Sequence, residues 1–110
     1  MPEEILFQIV HEYNTRESGI VLPTLLRLGE DEAKVRAKLD TGSQFCVFER
    51  KQGERLGLEI ETGYPLQMTT ATGPFQTYGH RISLSVLGIE TESTVYFAAE
   101  ESFYLNILGR

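Results

Sequence analysis

From the N-terminus onward the chain is a succession of short apolar or alternating stretches, broken by Gly, Pro, Asn and Thr, the texture of a β protein. Ile5 to Val10 predicts a first strand, and His11 to Gly19 (HEYNTRESG) a polar connection. Ile20 to Leu28 predicts a strand interrupted by Pro23, whose missing N–H suits an edge position or a bulge. An acidic turn follows, Gly29-Glu30-Asp31-Glu32. Lys34 to Leu39 then alternates cleanly, with Val35, Ala37 and Leu39 on one face and Lys34, Arg36 and Lys38 on the other. Phe45 to Phe48 predicts a short apolar strand. Glu49 to Leu56 is the best helix candidate, weakened by Gly53 and ended by Gly57. Leu66 to Thr70 and Phe75 to Leu87 flank a small-residue turn, Thr70 to Pro74, and predict a hairpin. In its second arm Ile82, Leu84 and Val86 alternate with Arg81, Ser83 and Ser85. Ile89 to Ala98 and Tyr104 to Leu108 predict two further strands. No linker or shift in composition divides the chain, so one domain over residues 1–110 is expected. The fragments LGLEIETG and LGIETEST are alike enough to suggest an old duplication.

Composition narrows the function classes. The hydrophobic content of 41% and charged content of 24% are those of an ordinary globular protein, not a disordered chain. The formal net charge of −6, with no cluster of Lys and Arg to offset it, argues against a nucleic-acid partner. A single cysteine, Cys46, excludes an internal disulfide and a multi-thiol metal site. His11 and His80 lack metal-ligand spacing, so neither a metal nor another cofactor is expected. The apolar run 5–10 follows an acidic start and is too short for a signal peptide. No stretch approaches the roughly 20 apolar residues of a membrane helix. The expectation is a soluble, cytoplasmic protein with no membrane partner.

The residues that draw chemical attention are Asp40-Thr41-Gly42-Ser43, at the end of the alternating strand. Aspartate is scarce here: only Asp31 and Asp40 occur in a chain with 16 acidic residues. Alone, Asp-Thr-Gly also fits a strand ending in a tight turn, since Asp and Gly are turn residues. Its context adds a second apolar strand, FCVF, a hairpin with a small-residue tip, and near the C-terminus LNILGR, an apolar pair followed by Gly-Arg.

This ordered set resembles the retropepsin-like aspartic proteases, single-domain relatives of pepsin, over roughly Ile20 to Arg110. TATGPFQTYGH also resembles the flap region of small bacterial members. The resemblance implies an all-β, closed-barrel-like fold with one short helix, active as a symmetric homodimer. It implies an aspartic endopeptidase, with a peptide or protein substrate and Asp40 as the catalytic residue in each subunit. Thr41, Gly42 and Ser43 complete the active-site loop, with the Thr41 hydroxyl tying the two loops together across the dimer axis. Ala71, Thr72, Gly73 and Pro74 form a flap that closes on substrate, and Ile107, Leu108 and Gly109 pack beside the loop to support it. Aspartate suits such a site better than glutamate, because its shorter, stiffer side chain holds a facing pair more closely. Gly42 lets the backbone approach substrate and partner loop without a Cβ. Ser43 is expected to donate a hydrogen bond to the Asp40 carboxylate.

The remaining residues read more plainly. Phe45, Val47 and Phe48 are read as core, Cys46 as a buried structural thiol and Met68 as packing. Tyr78 is open between substrate contact and a cross-strand aromatic. Two departures from the family pattern stand out. Gln44 and Phe45 occupy the place where retroviral members commonly carry an acidic partner for the late arginine, here Arg110. Retropepsin-like domains also usually continue past that arginine with a short helix and an interface strand, so either a C-terminally trimmed chain or a differently built interface is expected. Two alternatives therefore stand beside the enzyme: a peptide-binding or dimerisation module of the same fold, and a generic β-barrel domain.

Overall fold

The computed structural model describes residues 20–40, 42–70 and 73–109. The predicted strand 5–10 and connection 11–19 lie outside them. Strands β1 (Ile20–Leu28) and β2 (Asp31–Leu39) are antiparallel along their full length, from Ile20 opposite Leu39 to Leu28 opposite Asp31. The predicted acidic turn is thus shorter than expected. Only Gly29 and Glu30 turn, while Asp31 and Glu32 belong to β2, where Glu32 meets Arg27 across the ladder at 2.9 Å. Alternation then sorts the faces. Leu22 and Leu26 of β1 and Ala33, Val35 and Ala37 of β2 are buried, whereas Lys34, Arg36 and Lys38 are exposed.

The remaining elements are β3 (Val47–Phe48), helix α1 (Arg50–Arg55), a 3-10 turn (Ile60–Thr62), β4 (Tyr64–Thr70), β5 (Gly73–Val86), β6 (Ile89–Ala98) and β7 (Ile107–Leu108). The sheet order is β1-β2-β7-β3-β6-β5-β4, and β1 also pairs with β5. Six strands therefore close into a barrel, with β4 as an outlying edge. Pro23 fits its expected edge character. It faces Arg36 of β2 but lies one residue beyond the stretch Thr24–Arg27 that meets β5, so its missing N–H breaks no ladder on that side. Strand β5 serves both parts of the sheet: Gly73–Gly79 pairs with β4, and Thr77–Val86 pairs with β6. The C-terminal strand is shorter than its predicted Tyr104 to Leu108. Tyr104 and Leu105 are exposed, and only Ile107 and Leu108 reach neighbouring strands. The two look-alike fragments adopt different structures, since Leu56-Gly57 follows the helix and Leu87-Gly88 turns β5 into β6.

Helix α1 covers one side of the barrel, and the core beneath it includes Phe48, Leu56, Ile60, Val95 and Phe97. Gly53, read from sequence as a weakness, is what allows this contact. A Cβ there would lie 2.5 Å from Ile60 Cδ1 and 3.0 Å from Phe97 Cδ1, both in fully buried side chains. The helix ends with Gly57 N–H donating to Glu54 O (3.0 Å) and Leu58 N–H to Gly53 O (3.1 Å), the paired pattern of a Schellman cap. Arg50 fastens the helix laterally. Its guanidinium donates to Glu61 (2.9 Å from Nη2), to the Ala99 carbonyl (2.9 Å) and to Glu54 (3.1 Å). The hydrogen bonds to Glu61 raise the Arg50 pKa further, and the same bonds lower that of Glu61 below the usual carboxylate range.

Two outcomes follow for stability. Alanine is ordinarily about 1 kcal/mol better than glycine inside a helix. Gly53→Ala should nevertheless destabilise the fold by about 1–3 kcal/mol through overpacking, read as a lower urea midpoint. For Glu61, a lowered folded-state pKa contributes stability that is present above the unfolded carboxyl pKa and lost as pH falls through the folded one. Thermal unfolding of Glu61→Gln should therefore be less sensitive to acidification from about pH 5 to 3 than that of the parent chain.

Candidate active site

The loop after β2 is built by three strands. β7 runs parallel to β2, with Lys38 opposite Ile107 and Leu39 opposite Leu108, and antiparallel to β3, with Val47 opposite Ile107. It thus lies between the strand that enters the loop and the strand that leaves it. Lys38 N–H donates to Asn106 O at 2.8 Å, and Asp40 N–H to Leu108 O at 2.9 Å. These bonds set the backbone of Asp40 at the mouth of the loop, with the residue exposed to solvent. The Ser43 N–H donates to Asp40 O at 3.1 Å, closing a tight turn.

Within the turn, Asp40 Oδ1 accepts the Gly42 N–H at 3.0 Å. Ser43 does not take the part expected for it. Its hydroxyl donates to the Phe45 carbonyl (2.8 Å) and accepts the Phe45 N–H (3.3 Å), so it braces the far side of the loop, while a backbone amide serves the carboxylate. The reason is local geometry: a serine two residues before an amide closes an ST-type turn more readily than it reaches back to a side chain. Thr41, Ala71, Thr72 and Arg110 lie outside the described residues.

Ile107, Leu108 and Gly109 all contact the loop or the strands that flank it. Beyond the two β7 residues, Gly109 lies flat on the backbone of Phe45. A Cβ at Gly109 would come within 2.3 Å of the Phe45 carbonyl oxygen and 2.8 Å of its nitrogen. Glycine is needed here for close approach of two backbones. Phe45 sets its ring edge-on to Tyr96 at 5.2 Å, while Val47 and Phe48 are buried as read. Cys46 is half-buried, with its Sγ 4.0 Å from the Gly109 carbonyl; burial raises its thiol pKa, an effect partly offset by that contact. A thiol held protonated is a poor nucleophile. His80 is engaged elsewhere, with Nε2 2.9 Å from the Ile60 carbonyl and its ring against Phe97.

Sequence reasoning missed the clamp on the other side of β7. Asn106 Nδ2 donates to Glu49 Oε1 at 2.8 Å, and Glu49 N–H donates to Asn106 Oδ1 at 3.1 Å. This reciprocal pair ties the N-terminal end of α1 to the strand that holds Asp40. The signal was present as an asparagine set between two apolar residues, Leu105 and Ile107. At the proposed flap, Gly73 pairs with Thr70 and Pro74 with Thr69 at the end of the β4–β5 hairpin. Tyr78 packs against the core from the same strand, which favours its cross-strand reading.

A closed barrel in which a short apolar strand followed by Gly lies between the two strands flanking the Asp40 loop, with a β-hairpin at its outer edge, is the retropepsin architecture. Two solved structures share it. The EIAV protease complexed with the inhibitor HBY-793 is 20% identical, with a TM-score of 0.66, covering 89% of this chain and 86% of that one. A retropepsin-like aspartic protease from Rickettsia conorii is 16% identical, also at a TM-score of 0.66, covering 86% and 77%. At these identities the likeness establishes the fold. No match is found among curated proteins. The sequence pattern of the aspartyl protease family matches residues 26–110, and the chain belongs to that family.

The backbone contact beneath the loop is directly testable. Gly109→Ala has no flexible side chain to push aside, so it should lower the unfolding free energy by about 3 kcal/mol or more, measured by urea titration.

Proposed function

We propose that the chain is an aspartic endopeptidase that hydrolyses peptide bonds through a dyad formed by Asp40 from each of two copies. The observation that carries this reading is that one chain holds one suitable carboxylate. The only other aspartate, Asp31, begins β2, whereas Asp40 follows its last residue. Eight residue steps along a strand separate the two ends of β2 by roughly 26 Å. A facing pair of aspartates therefore requires a second chain, related by a two-fold axis that brings the same loop against itself.

In such a pair two carboxylates about 3 Å apart would repel by about 5 kcal/mol at an effective dielectric near 20. As is general for aspartic proteases, they then share one proton. The charged member acts as general base toward a water, and the protonated member polarises the peptide carbonyl. The Gly42 N–H, donating to Asp40 Oδ1, orients that carboxylate within the loop. Ser43, bonded to Phe45, keeps the loop in shape. Gly73 and Pro74, at the described end of the β4–β5 hairpin, belong to the arm that would close over a peptide. Substrate class and homodimer both rest on the family and on the likeness to retropepsin-like proteins.

The test pairs activity with assembly. The purified chain and Asp40→Asn are incubated with an unstructured protein from about pH 3 to 7, and the mass of each is measured in solution. Cleavage by a dimer should fall by about 10³-fold or more in the variant. A dimer that binds peptide without cutting it would reduce the protein to a binding module. A monomer with neither property would overturn the proposal entirely.

A further inference from the structure

Two aromatic residues outside the active-site loop join the hairpin to the segment that supports it. Phe75, near the hairpin end of β5, stacks on Phe103 with ring centroids 4.8 Å apart and planes 18° from parallel. Phe103 lies in the connection between β6 and β7, five residues before Leu108, the acceptor for the Asp40 N–H. A backbone bond runs alongside, from Ala99 N–H to Gln76 O at 2.9 Å. The connection is also held at its far end, where Asn106 clamps Glu49. The hairpin arm is thus joined through Phe103, and then along the chain, to the segment whose Asn106 and Leu108 carbonyls accept the Lys38 and Asp40 N–H groups. The ring stack is that segment's only side-chain link to the hairpin among the described contacts.

We propose that Phe75 and Phe103 are a positioning pair for the peptidase reaction, setting the height of the hairpin arm above the Asp40 loop and so the affinity for peptide. The inference rests on the peptidase reading and deepens it. Several features favour positioning over plain core packing. Both rings are only half-buried, and neither belongs to the central apolar cluster. The adjoining residues Tyr104 and Leu105 are exposed, so the connection has little else to hold it down between Phe103 and Asn106. Offset stacked rings contribute a modest attraction beyond their buried area, enough to change an equilibrium by about 2- to 10-fold. That range suits a contact that biases the arm without freezing it.

The experiment uses the full chain and has two independent readouts. Hydrogen exchange of backbone amides in residues 73–79 is compared in the parent, Phe75→Ala, Phe103→Ala, the double variant and Phe103→Leu. Exchange should quicken by about 2- to 10-fold in either alanine variant, no further in the double variant, and less in Phe103→Leu. Unchanged exchange, or effects of the two alanine variants that simply multiply, would overturn the pairing. Steady-state kinetics on a peptide substrate should show KM raised by a similar factor, with kcat within about twofold. A fall in kcat at constant KM would overturn the positioning role. Exchange needs no substrate, so failure of the peptidase reading is told apart. If the parent lacks Asp40-dependent cleavage while exchange behaves as stated, the catalytic role falls and the ring pair is a structural contact alone.

Discussion

Everything around the candidate site depends on two residues of strand. β7 is only Ile107–Leu108, yet it is held on both sides, by β2 and by β3, and the carbonyls of Leu108 and of Asn106 just before it take the N–H groups of the chain as it enters the loop. Without it, the segment from Asp40 to Cys46 would be an exposed excursion whose backbone groups bond to water and whose conformation is one of many. With it, Asp40 emerges at a fixed point, and Gly109 closes the contact by lying directly on Phe45. The gain is less in energy than in position, since a net backbone hydrogen bond contributes only about 1 kcal/mol. A reacting carboxylate needs that definition more than it needs strength.

A second layer keeps β7 in place. The Asn106–Glu49 exchange ties it to the start of α1, and Arg50, the next residue, ties the helix to the 3-10 turn and to the end of β6. Glu49 and Arg50 thus face opposite tasks from adjacent positions. Gly53, one turn later, seats the helix on Phe97, so the short helix is fastened at its start and along its packed face. A six-residue helix has little intrinsic stability. Here its place in the fold comes almost wholly from these tertiary contacts.

How much of this could be read beforehand follows from the range of the interactions. Alternation in residues 34–38 identified inward and outward faces because strand geometry is local, while in 82–86 only Ile82 and Val86 are buried and Ser83, Leu84 and Ser85 are alike half-buried. Pro23 marked an edge for the same reason, and Asp40 with Gly109 carried a pattern specific enough to suggest the architecture. Gly53 was misjudged, because its value lies in Ile60 and Phe97, which local propensity does not see. Ser43 was given the wrong partner, since two acceptors lay within reach and sequence does not rank them. Tyr104 and Leu105 looked like strand from their side chains, but no neighbouring backbone reaches them. The Glu49–Asn106 and Phe75–Phe103 contacts join residues far apart in sequence, and nothing in either neighbourhood announces the other.

One further consequence lies in the unusual length of β5. Its fourteen residues run without interruption from the hairpin into the barrel wall. Thr77, fully buried, is the first residue paired on both sides, with Leu66 and with Ala98. Mechanically the hairpin is a cantilever clamped at Thr77, with an arm from Gly73 to Thr77 of roughly 13 Å that is steadied partway by Phe75 on Phe103. Such a beam bends at its root only by breaking ladder bonds on two sides, so its compliance is confined to the last few residues.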